Sequence, residues 1–157
     1  MLFRSDQVSN YLFVYHKNYK NKAIKEGIKE DKIFVVGNTI VEPLKKFANF
    51  NYSGKKEHII LDIHRPENFK HLERMQKILN FANFLSKKTN KPVKMLKFNR
   101  TIKEIEKHKL STGDISLIEL MGYKKFITYM QDSFCLISDS GTGQEEPALL
   151  NVPVLVP

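Results

Sequence analysis
One cysteine, Cys135, is all the chain carries. That excludes an intramolecular disulfide and leaves too few thiolates for a zinc ribbon or an iron–sulfur cluster. No apolar run approaches the roughly 18 residues of a membrane-spanning helix. The opening Met1-Leu2-Phe3-Arg4-Ser5-Asp6 holds no apolar segment of signal-peptide length. There is no internal repeat, low-complexity tract, RGG tract, basic-aromatic repeat or Cys/His finger. These absences set the expectation of a soluble protein in a reducing, cytoplasmic setting, with no membrane partner and no metal.

What is present is the material of a folded domain. The chain has 157 residues, 41% of them apolar and 27% charged, which is enough to build a core. Its net charge is +9, so a polyanionic partner has to be considered. The charge is mostly lysine in helical stretches: six Lys against three acids over 17–32, and six basic residues against two acids over 94–109. Without basic-aromatic interleaving, this reads as solvated helix faces, and nucleic acid is the least favoured partner.

Short β-rich apolar runs alternate with helical patterns. Strands are expected over 11–15, 33–36, 58–63, 93–98, 116–121, 134–137 and 152–156. Helices are expected over 18–26, 41–47, 70–88, 101–109, 123–131 and 144–150. In the longest helix Leu72, Met75, Ile78, Leu79, Ala82 and Leu85 recur at helical spacing and form one apolar stripe. The segment Asn51-Tyr52-Ser53-Gly54-Lys55-Lys56 reads as a linker. This alternation predicts βαβ units and an α/β, Rossmann-like, doubly wound parallel sheet. Ligands of such sheets sit at the carboxyl ends of the strands, so the loops there carry the functional expectation.

Two loops stand out. His64-Arg65-Pro66-Glu67-Asn68-Phe69 follows a strand with an imidazole, a guanidinium and a carboxylate. The imidazole can act as acid, base or charged donor, and Arg65 can fork onto phosphate. A plain solvated turn is the alternative. Ser138-Asp139-Ser140-Gly141-Thr142-Gly143-Gln144-Glu145-Glu146 links a strand to a helix. Its glycines allow close backbone approach, and the amides opening the helix suit a phosphate. Helix capping, with Glu145 and Glu146 favouring the helix dipole, explains the same residues and is compatible with anion binding.

Together these loops resemble the non-hydrolysing UDP-N-acetylglucosamine 2-epimerase family. The family's Gly-Asn-Thr segment appears as Gly37-Asn38-Thr39, its His-Arg-x-Glu-Asn-Phe loop as 64–69, and its Asp-Ser-Gly loop ending in Gln-Glu-Glu as 138–146. The exit Leu150-Asn151-Val152-Pro153-Val154-Leu155-Val156 also follows the family pattern, and Arg4 and Asp6 resemble its upstream Asn-Arg-x-x-x-Asp region.

The resemblance implies one half of a glycosyltransferase-B-type fold. Residues 1–36 would be the end of an N-terminal Rossmann-like domain, and 37–157 the C-terminal UDP-binding one, incomplete at its end. The implied reaction interconverts UDP-GlcNAc and UDP-ManNAc by eliminating and re-adding UDP, without a nicotinamide or other cofactor, in nucleotide-sugar and surface-polysaccharide synthesis. It assigns His64, Arg65 and Glu67 to catalysis, and Arg4, Ser140, Gly141, Thr142 and Glu146 to UDP, with Glu146 on the ribose.

Two positions depart from the family. Phe98-Asn99-Arg100-Thr101 stands where many members have a His-Pro loop, and Thr142 stands at a glycine of the diphosphate loop. The family's catalytic acids belong to the N-terminal half, so this chain alone is expected to be inactive. The implied partners are a UDP-sugar and either a second copy in a homodimer or a separate chain supplying the N-terminal domain. The alternatives are a non-catalytic UDP-sugar-binding module, half of a split enzyme, or a basic nucleic-acid-binding α/β domain. A hydrolysing relative, or one acting on another UDP-HexNAc, would carry the same loops.

Overall fold
The structure is a computed structural model that describes residues 4–157. The chain divides into two compact units, Met1–Pro43 and Leu44–Pro157.

In the first unit α1 (Arg4–Val8) precedes β1 (Leu12–Val14), α2 (Lys17–Lys25), a 3-10 turn (Glu30–Lys32) and β2 (Ile33–Val35). The two strands pair in parallel, Leu12 with Ile33 and Val14 with Val35. Val14, Ile33 and Ala23 of α2 form a small core. Phe13 and Phe34 stay exposed, with ring centroids 5.7 Å apart. α3 (Val41–Phe47) follows, and Leu44 within it opens the second unit.

The second unit contains β3 (His58–Asp62), α4 (Pro66–Phe69), α5 (Leu72–Thr89), β4 (Val93–Leu96), α6 (Asn99–Lys107), β5 (Ser116–Ile118), α7 (Tyr123–Gln131), β6 (Ser133–Ser138), α8 (Thr142–Leu149) and β7 (Val154–Leu155). Its sheet is parallel throughout, in the order β5-β4-β3-β6-β7. The order runs outward in one direction from β3 and in the other from β6. This is the doubly wound arrangement predicted from the alternation, with its switch point between β3 and β6.

The reason for this layering is visible in β3. All five of its residues are buried, as a central parallel strand covered on both faces requires. Strand alternation sends Ile59 and Leu61 into one core with Met75, Leu79 and Ile102, and Ile60 into the other with Leu44, Ile127 and Met130. In β6, Cys135 and Ile137 join the first core and Leu136 the second.

α5 presents Met75, Ile78, Leu79 and Ala82 to the sheet, four of the six residues of the expected stripe. It ends at Asn90, whose left-handed backbone (φ 53°) closes the helix. Every expected strand and helix exists, though most strands are shorter than the apolar runs that announce them.

Two readings need correction. The segment 64–69 is not wholly a loop: Pro66–Phe69 forms the short α4, with Pro66 in its first turn, where its fixed φ fits and its missing N–H costs nothing. The segment 51–56 is not a free linker either. The Tyr52 hydroxyl donates to the Asp132 carboxylate, and the Lys55 amide donates to the same carboxylate at 3.2 Å. Gly54 (φ +72°) lies so close to the Gln131 carbonyl that a Cβ would sit 1.8 Å from its oxygen.

Candidate functional site
The site is built at the carboxyl ends of β3 and β6, on either side of the switch point. The strands are in register there, with Asp62 facing Ser138. The chain leaves β3 through Ile63 into His64, and leaves β6 through Asp139 into Ser140. Residues about 75 positions apart in sequence are thereby neighbours.

Two buried aspartates organise the loops; Asp62 is 6% exposed and Asp139 5%. Asp139 ties down the backbone of the first loop. Its Oδ1 accepts the His64 amide at 3.0 Å, and its Oδ2 accepts the Arg65 amide at 3.0 Å and the Asn68 side-chain amide at 2.9 Å. The Asp139 amide donates back to the Asp62 carbonyl at 3.1 Å. Asp62 meets the side chains. Its Oδ1 lies 3.0 Å from His64 Nδ1, and its Oδ2 accepts the Ser138 hydroxyl at 2.6 Å. Ser138 Oγ in turn accepts the Ser140 amide at 3.0 Å. Thr101 at the start of α6 closes the floor by donating to the Ile63 carbonyl at 2.7 Å.

The expected residues gather unevenly. His64 and Ser140 line one cavity of about 350 Å³, together with Asp62, Phe98 and Tyr123. The His64 ring tilts against Phe98 at a centroid distance of 4.9 Å, so the residue found in place of the His-Pro loop forms part of the wall. Ser140 and Thr142 hydroxyls are 3.2 Å apart at the start of α8. Gly141 caps that helix, and Arg65 Nη2 lies 3.6 Å from where a Cβ on Gly141 would be.

Glu146 is buried on α8 and its Oε1 accepts the Tyr123 hydroxyl at 2.8 Å, which connects it to the same cavity wall. Burial pushes the Glu146 carboxyl above its ordinary value, against the pull of the Tyr123 hydrogen bond. Burial pushes the Tyr123 hydroxyl up to about 12. Glu67 is exposed on α4, where its backbone carbonyl accepts from Arg74 at 3.3 Å. Arg4 starts α1 in the first unit.

Sequence reasoning passed over Asp62, Ser138 and Asn68 as individual site residues, and Asp139 as more than part of a loop. The signal for Asp62 was its spacing from His64: two residues apart at a strand end, they share one side. Gly143 has a packing role as well. A Cβ there would lie 2.5 Å from Ser138 Oγ and 2.9 Å from Ser140 Cβ, so the loop closes only around glycine.

Asp62, His64 and Asp139 bring ligand-type atoms within 4.8 Å of one another. All four carboxylate oxygens already face an N–H or O–H group or the imidazole, and a cation would compete with these partners for the same oxygens. Among the described residues no helix is long and apolar enough to cross a membrane.

A doubly wound parallel sheet with a polar cluster and a helix-opening loop at its switch point defines a Rossmann-like domain, one half of a glycosyltransferase-B-type fold. Its particular membership follows from comparison. A sequence profile for UDP-N-acetylglucosamine 2-epimerase matches residues 4–157, and the chain belongs to that family.

A UDP-N-acetylglucosamine 2-epimerase of Methanococcus maripaludis is 33% identical over 95% of this chain and 45% of its own length. The crystal structure of Methanocaldococcus jannaschii UDP-GlcNAc 2-epimerase in complex with UDP-GlcNAc and UDP superimposes with a TM-score of 0.83 at 32% identity, covering 97% of this chain and 46% of that one. The Neisseria meningitidis enzyme bound to UDP-GlcNAc matches with a TM-score of 0.73 at 30% identity, covering 97% and 45%. The chain thus spans less than half the length of these relatives.

Proposed function
We propose that this chain is the UDP-binding half of a UDP-N-acetylglucosamine 2-epimerase, serving the interconversion of UDP-GlcNAc and UDP-ManNAc in nucleotide-sugar and surface-polysaccharide synthesis. The observation that carries this reading is the convergence of His64 and Ser140, from separate strand-end loops, on one cavity at the switch point.

The elimination of UDP needs a base for the C2 proton and donors for the departing diphosphate. The α8 end supplies the donors: the Thr142 and Gly143 amides open the helix ahead of any acceptor within it, and the hydroxyls of Ser140 and Thr142 stand beside them. Arg65 adds positive charge next to Gly141. Glu146 takes the ribose hydroxyls, exchanging its bond from Tyr123 for bonds from the ligand. His64 supports the proton transfer or the charge at the sugar–diphosphate bond. Glu67 accompanies it from α4, and Arg4 keeps its proposed role toward UDP.

Residues 1–36, on this reading, are the end of the N-terminal half, and the rest of that half supplies the other catalytic wall. A homodimer and a separate N-terminal chain are the two proposed partners, and the cytoplasm, where nucleotide sugars are made, is the proposed setting. The 157-residue chain alone binds UDP without turning over UDP-GlcNAc, because one wall of a cleft cannot hold the sugar in a near-attack geometry. Calorimetric titration with UDP tests the binding: wild type takes up UDP, and Glu146→Ala loses affinity. Equal affinities would remove the ribose role. Steady formation of UDP-ManNAc by the isolated chain, followed by NMR, would overturn the division of labour.

A further inference from the structure
We propose that Asp62 is a positioning residue that fixes the tautomer of His64, with the proton on Nδ1, and that Ser138 fixes Asp62 in turn. The argument is one of proton direction. The Ser140 backbone N–H can only donate, and Ser138 Oγ receives it at 3.0 Å. The single hydroxyl proton of Ser138 is then directed to its other neighbour, Asp62 Oδ2, at 2.6 Å. An ionised aspartate only accepts, so the nitrogen 3.0 Å from Asp62 Oδ1 has to carry the proton.

A second carboxylate oxygen, Asp139 Oδ1, lies 3.5 Å from the same nitrogen. Between two acceptors, Nδ1 has nothing to accept from. Asp139 cannot turn away, since its two oxygens hold the amides of His64, Arg65 and Asn68. The other polar side chains of the cavity wall, Tyr123 and Ser140, bond Glu146 and Thr142 respectively.

The order of donors therefore runs in one direction from the α8 loop to the imidazole: Ser140 N–H to Ser138, Ser138 O–H to Asp62, and His64 Nδ1–H to Asp62. The neutral ring is left with its lone pair on Nε2. This inverts the tautomer that a histidine side chain favours in water, and such an inversion is what an oriented carboxylate partner achieves. It also ties the two loops together electrically, so that the residues expected to hold a diphosphate set the proton on the residue expected to work beside it. Only this last, functional meaning rests on the reading of the site as a nucleotide-sugar site; the tautomer does not.

The test is long-range 1H–15N NMR of the full chain, with the His64 signals among the five histidines assigned by their loss in His64→Gln. In wild type the neutral His64 ring shows Nδ1 protonated and Nε2 bare. Asp62→Asn puts an N–H donor or a weaker acceptor against Nδ1, and the tautomer ratio shifts toward Nε2–H by about tenfold, the size of losing one hydrogen bond to a charged group. Ser138→Ala frees Asp62 to rotate and gives a mixture.

A role confined to packing would lower the melting temperature and leave the ring nitrogens as they were. A wild-type His64 protonated on Nε2 overturns the proposal, and so does an unchanged spectrum in a folded Asp62→Asn. If that variant does not fold, the wild-type spectrum and Ser138→Ala still decide. A UDP titration of the same samples keeps the two readings apart. Absence of UDP binding with the Nδ1–H tautomer intact removes the nucleotide site and leaves this inference standing; the converse result does the opposite.

Discussion
The two ends of the five-stranded sheet use the same device for different purposes. At the amino end Asp132 gathers the Tyr52 hydroxyl and the Lys55 amide, and so pins the chain as it enters β3. At the carboxyl end Asp139 gathers the amides of His64, Arg65 and Asn68, and so pins the chain as it leaves β3. Asp132 immediately precedes β6 and Asp139 immediately follows it. One strand thus carries an anchoring carboxylate at each end, and both act on the neighbouring β3.

What differs is what each anchor leaves open. At the amino end the His58 ring stacks on Tyr129 at 4.0 Å, Gln131 bonds both the amide and the carbonyl of Asn49, and the hollow of about 390 Å³ beside them is walled by Tyr52, Lys56, Gln131 and Leu149 with no imidazole among them. The carboxyl end keeps a cavity of about 350 Å³ with an imidazole about a third exposed on its wall. Anchoring at one end serves the packing of the fold; at the other it sets an imidazole against a cavity wall.

If this division is right, breaking the amino end costs stability alone. Gly54→Ala forces a Cβ into the Gln131 carbonyl at a positive φ, and we expect a loss of about 3–4 kcal/mol in denaturant unfolding. The fraction that remains folded binds UDP as wild type does. Asp139→Ala comes next, at about 3 kcal/mol, since it leaves two backbone amides and the Asn68 side chain without their acceptor. Here UDP affinity falls with stability, because the first loop loses its register. An unchanged affinity in folded Asp139→Ala would erase the distinction between the ends. Gly143→Ala follows at about 2 kcal/mol, since the new Cβ meets Ser138 Oγ and Ser140 Cβ rather than a backbone carbonyl and the α8 loop has to shift to admit it. Its main effect is on the α8 loop, with UDP affinity down about tenfold.

Much of this was readable from the residues. The apolar run of β3, the helical stripe of α5 and the strand–loop–helix setting of 138–146 each state their structure locally. The linker reading of 51–56 failed because Gly, Ser and Lys look alike in a free turn and in one tied to a distant carboxylate. Asp62 and Asp139 were hidden for a related reason. Asp62 sits at the end of an otherwise apolar run, and Asp139 inside a motif whose glycines and hydroxyls draw the eye. Their meaning depends on β3 and β6 being neighbours, and that adjacency is a property of the sheet order, not of either segment. The turn of α4 was lost in the same way, since its residues read as turn formers until Asp139 is seen holding the amides before it.

The smallest effect is also the sharpest comparison, because the two ends carry buried ionisable groups with opposite signs. At the carboxyl end burial raises the Glu146 carboxyl. Above the ordinary carboxylate range the unfolded chain has released a proton that the folded one still holds, so stability falls as pH rises through that window and is regained on acidification. At the amino end burial lowers the His58 imidazole, against the pull of Asp132 and Glu57 and with some help from Lys94. Its Nε2 has no hydrogen-bond partner. The unfolded chain takes up a proton below about pH 6.5 that the folded one resists, so stability falls as pH drops.

Two variants separate these. Relative to wild type, Glu146→Gln keeps an acceptor for Tyr123 and gains stability toward neutral pH, whereas His58→Phe keeps the stack on Tyr129 and gains stability toward acid. Each difference is within about 1 kcal/mol, readable in melting curves between about pH 4 and pH 8. Saturating UDP should change the Glu146 profile, since in the proposed ribose role the hydroxyls favour the ionised carboxylate, and should leave the His58 profile alone. A UDP effect on both profiles would mean that the ends of the sheet are coupled and that the division drawn between them is too clean.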